Sequence, residues 1–374
     1  MKKSCKILSG IMALCLIGSV GIIPEHITTT VSMTASAEDA IYEISDDGVL
    51  TVNDMSKFKG KNTPSKEEIP TITEIVIADG VDNIKDNAFK DYMAVEYVTI
   101  PESVTTIGAS AFEGCTSLLY VEIPESVTKI GVACFSGCTA LAEIDIYAPL
   151  TAIPASAFKN CKALTNINIP ETVETIGSEA FYSTGLKSVT VPDSVITIEG
   201  SAFAECASLK NAFIGNGVTN IGKQAFYDSS LQSVTFGRNI ASIGNEAFWH
   251  TNVSTVTYNG TEQDWKKVTT DRDRNPLNSS SFTYLVKYGD ANEDGVVNIS
   301  DAVLIMQSIS NPGEYKITET GIANADIVDR GSNLTTQDAL AIQMMEAKLI
   351  KAEALPITAE DIANIVSGKD DATE

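Results

Sequence analysis

Histidine, basic side chains and a paired set of cysteines are what this sequence of 374 residues has little of, and each shortage excludes a class of function. Of the two histidines, His26 lies in an N-terminal leader, so His250 alone remains for imidazole chemistry, and no Cys/His or Ser/His nucleophilic set can be assembled around it. Lysine and arginine number 26 against 49 acidic residues, a formal charge of −23. An acidic surface of that size argues against nucleic acid and anionic membranes as partners, and suits a soluble extracellular protein that takes calcium where carboxylates cluster. Five cysteines follow the leader: Cys115, Cys134, Cys138, Cys161 and Cys206. An odd number on an exported chain points to an environment that does not demand disulfides, such as an anaerobic one. No apolar run after residue 23 resembles a membrane span.

What the chain does have is a repeat. Phenylalanine recurs as Phe89, Phe112, Phe135, Phe158, Phe181, Phe203, Phe226 and Phe248, each preceded five positions earlier by Ile84, Ile107, Ile130, Ile153, Ile176, Ile198, Ile221 or Ile243. Between them stands L-x-x-V-x-I, as in Leu118 to Ile123 or Leu164 to Ile169, followed by Pro101, Pro124, Pro170, Pro192, Gly215 or Gly237. The alternation reads as a short strand with two side chains inward, which proline ends because it has no N–H for the ladder. Units this short bury an apolar face only by stacking, so the pattern predicts a solenoid of parallel strands about 4.8 Å apart. Cys115, Cys138, Cys161 and Cys206 share one slot, three residues after the phenylalanine, with Tyr92, Thr184, Ser229 and Thr251. The slot reads as small and buried, holding either a ladder of free thiols or a disulfide between neighbouring coils.

These residues resemble the BspA-like leucine-rich repeats of bacterial surface and secreted proteins, which implies right-handed coils and a generic binding scaffold. Outward strand positions are Tyr97, Thr99, Tyr120, Glu122, Glu143, Asp145, Asn166, Asn168, Asn211 and Phe213. Tyr97 and Tyr120 on adjacent coils beside Glu122, Glu143 and Asp145 predict an aromatic-acidic patch, with Phe213 further along; the bland alternative is a solvated sheet that tolerates tyrosines.

Around the repeat the chain divides in order. Residues 1–37, with Lys2, Lys3 and Lys6 before an apolar run and Ala35-Ser36-Ala37 at the end, have the form of a secretory signal peptide. Residues 38–70 are expected to form an N-terminal cap, a hairpin turning on Asp47-Gly48 followed by a polar loop from Lys57 to Glu68. The solenoid occupies 71–288, its last coil closed by Trp265.

The composition then changes. Asp290, Asn292, Asp294, Asn298 and Asp301 fall at positions 1, 3, 5, 9 and 12 of a twelve-residue loop with Gly295 at position 6 and the Val296 carbonyl at position 7. That spacing wraps oxygen ligands around a calcium ion, and the apolar run from Ala302 predicts a helix leaving the loop. A second, longer copy offers Asp326, Asp329 and Asp338, with Asn333 possible, before Ala339 to Gln343; the alternative there is a loop that holds its shape without tight calcium.

Two such units, at 289–350, resemble a dockerin, with Gly289-Asp290 and Asp301-Ala302-Val303-Leu304 as the most specific parts. The resemblance implies an all-α, EF-hand-like module that binds a scaffoldin cohesin through calcium, and so a place in a cellulosome-like assembly. The implied cohesin face is Ser300, Val303, Leu304 and Ile305, or Gln337, Leu340 and Ala341. The long second loop departs from the family's twofold pseudo-symmetry. Residues 351–374 are expected to add a capped helix and a tail.

The expectation for function is a secreted, non-catalytic cellulosomal component whose solenoid recognises a protein, glycan or surface. A regulator or inhibitor of a co-assembled hydrolase or protease would use the same face. A polysaccharide-degrading enzyme fits less well, because no segment outside the repeats is large enough to house a convergent pair of carboxylates.

Overall fold

The computed structural model describes residues 40–366 except 271–273, 275, 286–287, 294–295, 330, 332 and 351–354. The signal peptide expected at 1–37 lies outside the described residues. The described chain divides into two units. One holds the residues up to Gln232 with Ile243–Asn252 and Thr270–Pro276; the other holds Ser233–Ser242, Val253–Thr269 and the residues from Leu277 onward.

The first unit is a stack of coils. Tyr42–Ile44 pairs antiparallel with Val49–Val52, and the latter is also the first parallel rung, in register with Glu74–Ile77. Tyr97–Thr99, Tyr120–Ile123 and Glu143–Ile146 continue that sheet. The expected two-residue Asp47-Gly48 turn is corrected. Pairing stops at Ile44↔Leu50, and Ser45 N donates to Val49 O at 3.0 Å. Asp46 to Gly48 therefore form the loop, closed by Gly48 at φ 81°, where a side chain would be strained.

Short two-residue strands at Asn83–Ile84, Thr106–Ile107 and Lys129–Ile130 make a second ladder on the coils. Between the two strips every repeat isoleucine and phenylalanine is buried. The phenylalanine rings stack from Phe89 to Phe248 with centroids 5.1 to 5.8 Å apart. The ladder begins one ring earlier than the repeat. Phe58, inside the segment expected to be a polar loop, is 3% exposed and lies 5.6 Å from Phe89 and 5.9 Å from Tyr42.

One seam interrupts the stack. In most other coils the residue after the repeat isoleucine donates its N–H to the carbonyl of the isoleucine of the preceding coil, as Gly108 does to Ile84 and Gly177 to Ile153. Position 154 is proline, which has no such hydrogen. The short-strand ladder accordingly breaks between Lys129–Ile130 and Ala152–Ile153 and resumes with Thr175–Ile176 and Thr197–Ile198. In the next coil Leu164 to Ile169, expected as a strand, keeps Leu164, Ile167 and Ile169 buried but forms none. The long strands resume at Ser188–Val191 and Asn211–Ile214.

The second unit contains parallel strands Ser233–Phe236, Thr255–Tyr258 and Ser281–Tyr284. A one-turn helix, α1 (Glu262–Trp265), carries the indole of Trp265 to 5.3 Å from Phe236 and Tyr258 and 5.0 Å from Phe282. The same unit holds α2 (Ile299–Ser310), α3 (Glu319–Ala325), α4 (Thr336–Glu346) and α5 (Ala359–Val366), with α2 packed on α4. Their core includes Ala302, Ile305, Ile327, Ala341 and Ile342 and also Leu355, Ile357 and Ile362. The boundary expected at 350 therefore falls inside one apolar core. Ile357 N donates to Ile327 O at 2.9 Å and Asp329 N to Ile357 O at 3.0 Å, tying the C-terminal segment to the second loop.

Candidate functional site

On the first unit, strand register decides which outward side chains meet. Glu74, Tyr97, Tyr120 and Glu143 occupy one column, each paired with the next. Glu122 pairs with Asp145 in the adjoining column. The Tyr120 hydroxyl donates to Asp145 Oδ2 at 2.9 Å and approaches Glu122 Oε2 at 3.3 Å. Burial and then the Asp145 bond push the Tyr120 hydroxyl above its usual pKa, and the Asp145 charge raises that of Tyr147, which is 56% exposed. Five of the six expected face residues are thus one cluster. Phe213 is not part of it: it pairs with Thr190, in a sheet separated from Glu143–Ile146 by the strandless coil at 164–169. Glu74 and Tyr147 join the cluster unforeseen. Glu74 opens Glu74-Ile75-Val76-Ile77, the same alternating pattern; Tyr147 takes the slot that proline fills at 101, 124 and 170.

In the helical segment, Asp301 and Asp338 are fully buried. Asp301 accepts from Asn292 N at 3.1 Å and Asn298 N at 2.9 Å, drawing both ends of the first loop onto one carboxylate. Asp338 accepts from Ile327 N and Val328 N, both at 2.8 Å, and from Thr335 N and Oγ1. Each is the third residue of its helix and completes a capping box with Asn298 or Thr335. Asn298 Oδ1 accepts from Ser300 N, and its Nδ2 donates to the Val296 carbonyl at 3.3 Å. Asp290 is 4% exposed and its carbonyl accepts from Asn324. Asp294 lies outside the described residues.

In the second loop Asp326 Oδ2 accepts from Gly331 N at 2.7 Å, while Oδ1 is buried with no hydrogen-bond partner. Asp329 is not gathered with Asp326 and Asp338: it turns to the start of α5, where Ala359 N donates to it at 3.3 Å. Asn333 is exposed at φ 75°. Among the described residues no group of three His, Cys, Asp or Glu side chains converges as a ready-made metal cluster.

The helix surfaces correct the expected partner face. Ile305 and Ala341 are fully buried in the core and Leu304 packs against it, so none of the three meets a partner with its whole side chain. Ser300, Val303, Gln337 and Leu340 are exposed as expected. The stripe on α2 is instead Ile299, Val303 and Met306, 51%, 46% and 40% exposed, with Leu340 of α4 at 37%. Spacing of four and three puts these α2 residues on one face. The apolar run from 302 to 306 concealed which of its members point outward, because a helix with apolar residues all round gives no stripe to read.

Comparison with known proteins agrees with the coils. A stretch of 67 residues, 16% of this chain, is 45% identical to a xylanase/beta-glucanase of Ruminococcus flavefaciens, but the chain spans only 8% of that protein. One chain of a solved structure, the third ScaB cohesin of R. flavefaciens in complex with a group 1 dockerin, is 49% identical over 17% of this chain and 90% of its own, with a TM-score of 0.16. A leucine rich cell surface protein of Faecalibacterium prausnitzii is 20% identical over 64% of this chain and 99% of its own, with a TM-score of 0.30. No helix of the described residues is long and apolar enough to cross a membrane. The BspA type leucine rich repeat region matches over 67–183 and again over 151–268, together more than half of the sequence. With the phenylalanine ladder and parallel rungs running through that same span, the chain belongs to the BspA type leucine-rich repeat family.

Proposed function

We propose that this is a secreted, non-catalytic component of a cellulosome-like assembly: its helical segment docks on a scaffoldin cohesin in a calcium-dependent way, and the sheet face of its solenoid recognises a ligand. The observation that carries the docking half is the exposed apolar stripe of Ile299, Val303, Met306 and Leu340 on two helices whose first turns hold buried Asp301 and Asp338. Apolar side chains grouped in solvent mark an interaction surface. No ion pair among the described residues involves either buried aspartate, and a buried carboxylate is costly until a cation compensates it.

Calcium fits these loops. It takes oxygen ligands, and the buried Asp326 Oδ1 offers one with no other use. Asp290, Asn292, Asp294, the Val296 carbonyl, Asn298 and Asp301 would hold the first ion; Asp326 and Asp338, with Asn333, would contribute to the second. Bound calcium would supply the positive charge that fixes both loops and hence the helix starts beneath the stripe. The short likeness to a large xylanase/beta-glucanase suits a small module shared between proteins that otherwise differ.

The test is calorimetric titration of the chain with the R. flavefaciens ScaB cohesin and a panel of others, with calcium and with EDTA. Binding should fall at least about 100-fold in EDTA, and similarly when Val303→Asp and Leu340→Asp are combined, since charges then enter the centre of the interface. Binding that survives both changes, or no binding to any cohesin, would reduce the segment to a calcium-stabilised module.

A further inference from the structure

The Tyr-Glu column on the solenoid has an ordered composition. Two tyrosines on adjacent rungs, Tyr97 and Tyr120, are bracketed by Glu74 on the preceding rung and Glu143 on the next. Glu122 and Asp145 flank them in the neighbouring column, and Glu96, also exposed, precedes Tyr97. No lysine or arginine occurs in the long strands Glu74–Ile77, Tyr97–Thr99, Tyr120–Ile123 and Glu143–Ile146. None of these five carboxylates takes part in an ion pair among the described residues. Other carboxylates of the same unit are neutralised locally: Glu113 by Lys90 at 3.0 Å, Glu179 by Lys159 at 2.7 Å and Glu246 by Arg274. The negative charge of the sheet face is therefore left uncompensated where the tyrosines stand.

Aromatic faces beside unpaired carboxylates favour cations over neutral or anionic groups, through the ring quadrupole and the carboxylate charge together. We propose that this face binds an extended, lysine- or arginine-bearing segment of a partner protein, laid across the strands from Glu74 to Glu143. Three rung spacings span about 14 Å, the reach of about five residues of extended chain, so cations at alternate positions meet the rings and carboxylates in turn. The raised Tyr120 and Tyr147 hydroxyls keep their protons and remain neutral donors beside Asp145. This inference rests on the reading of the sheet face as a recognition surface and adds the chemistry of what is recognised.

Fluorescence anisotropy of the full chain in calcium, with labelled oligolysine, oligoarginine and oligoglutamate peptides and with cellohexaose, tests it. The combined variant Glu122→Gln, Glu143→Gln, Asp145→Asn keeps side-chain shape. Its charge-matched control is Glu102→Gln, Glu125→Gln, Glu171→Gln, all exposed and outside the strands. The basic peptides should bind, weaken with salt, and lose about 10-fold in the first variant but less than about 2-fold in the control. Tyr97→Ala should weaken them with no change in net charge. Equal losses in both triple variants would reduce the effect to bulk charge and overturn the proposal. Cellohexaose binding that Tyr97→Ala abolishes, with the basic peptides silent, would overturn the cationic ligand and leave the recognition face standing. If no probe binds, and Tyr97→Ala and Tyr147→Ala retain everything the parent chain captures from culture supernatant, both the inference and the recognition face fall.

Discussion

At the scale of the residue, the cysteine slot and the left-handed positions show what stacking imposes on single side chains. Four thiols donate to the phenylalanine carbonyl of the coil before: Cys115 to Phe89, Cys138 to Phe112, Cys161 to Phe135 and Cys206 to Phe181, at 3.1 to 3.2 Å. All five are free and buried. Burial pushes Cys115 and Cys161 up to about 12 and raises Cys134, Cys138 and Cys206 as well. An unfolded thiol titrates at about 8.5. Below that pH both states keep the proton; above it the unfolded chain loses protons that the folded chain retains, so stability falls as pH rises. The urea midpoint of the solenoid should therefore drop between about pH 8 and 11, and the thiols should resist alkylation until the chain unfolds. Rapid labelling of the native chain would contradict this packing.

Ala133 belongs to a column of residues two before the phenylalanine, from Asn87 to Glu246, that all hold positive φ; its own is 55°. An L side chain pays about 1 kcal/mol there, so Ala133→Gly should stabilise the chain by about that amount in chemical denaturation. A destabilised variant would mean that the Ala133 Cβ contributes more by packing than the backbone loses.

At the scale of the element, the helical segment is held by its two capping aspartates and by its C-terminal extension. Leu355, Ile357 and Ile362 enter the same core as α2 and α4, and Val328 bridges Ile357 in parallel. Burial of three such side chains is worth about 5 kcal/mol. Ending the chain at residue 354 should consequently open the second loop and accelerate amide exchange throughout α4, while α1 stays protected. Unchanged exchange in α4 would assign the extension a passive role.

At the scale of the whole molecule, calcium and the phenylalanine ladder act on different parts of the chain. The ladder from Phe89 to Phe248 lies in the first unit, and the candidate calcium loops in the second. Saturating calcium at about 100 times its dissociation constant stabilises what it binds by about 2.7 kcal/mol. Calorimetry should show EDTA lowering the transition of the helix-rich part and sparing that of the solenoid's first unit. A single transition insensitive to EDTA would remove calcium from the folding of this chain.

The sequence by itself determined the solenoid, because a coil that cannot bury its own apolar face must advertise the shared core at a fixed period, and two anchors per coil did so. It also placed a helix after each loop, since an apolar run is local, but neither the capping boxes that start α2 and α4 nor α3 was read from it. It could not show that Phe58 extends the ladder, that Pro154 breaks one strip of it, or that Phe213 lies outside the tyrosine-acid cluster. Those follow from which coil lies beside which, a matter of hydrogen-bond donors present or missing between residues some 22 positions apart. Nor could it separate buried Ile305 from exposed Met306 within one apolar run. Only the packing of α2 on α4 chose the face of the helix that water, or a partner, meets.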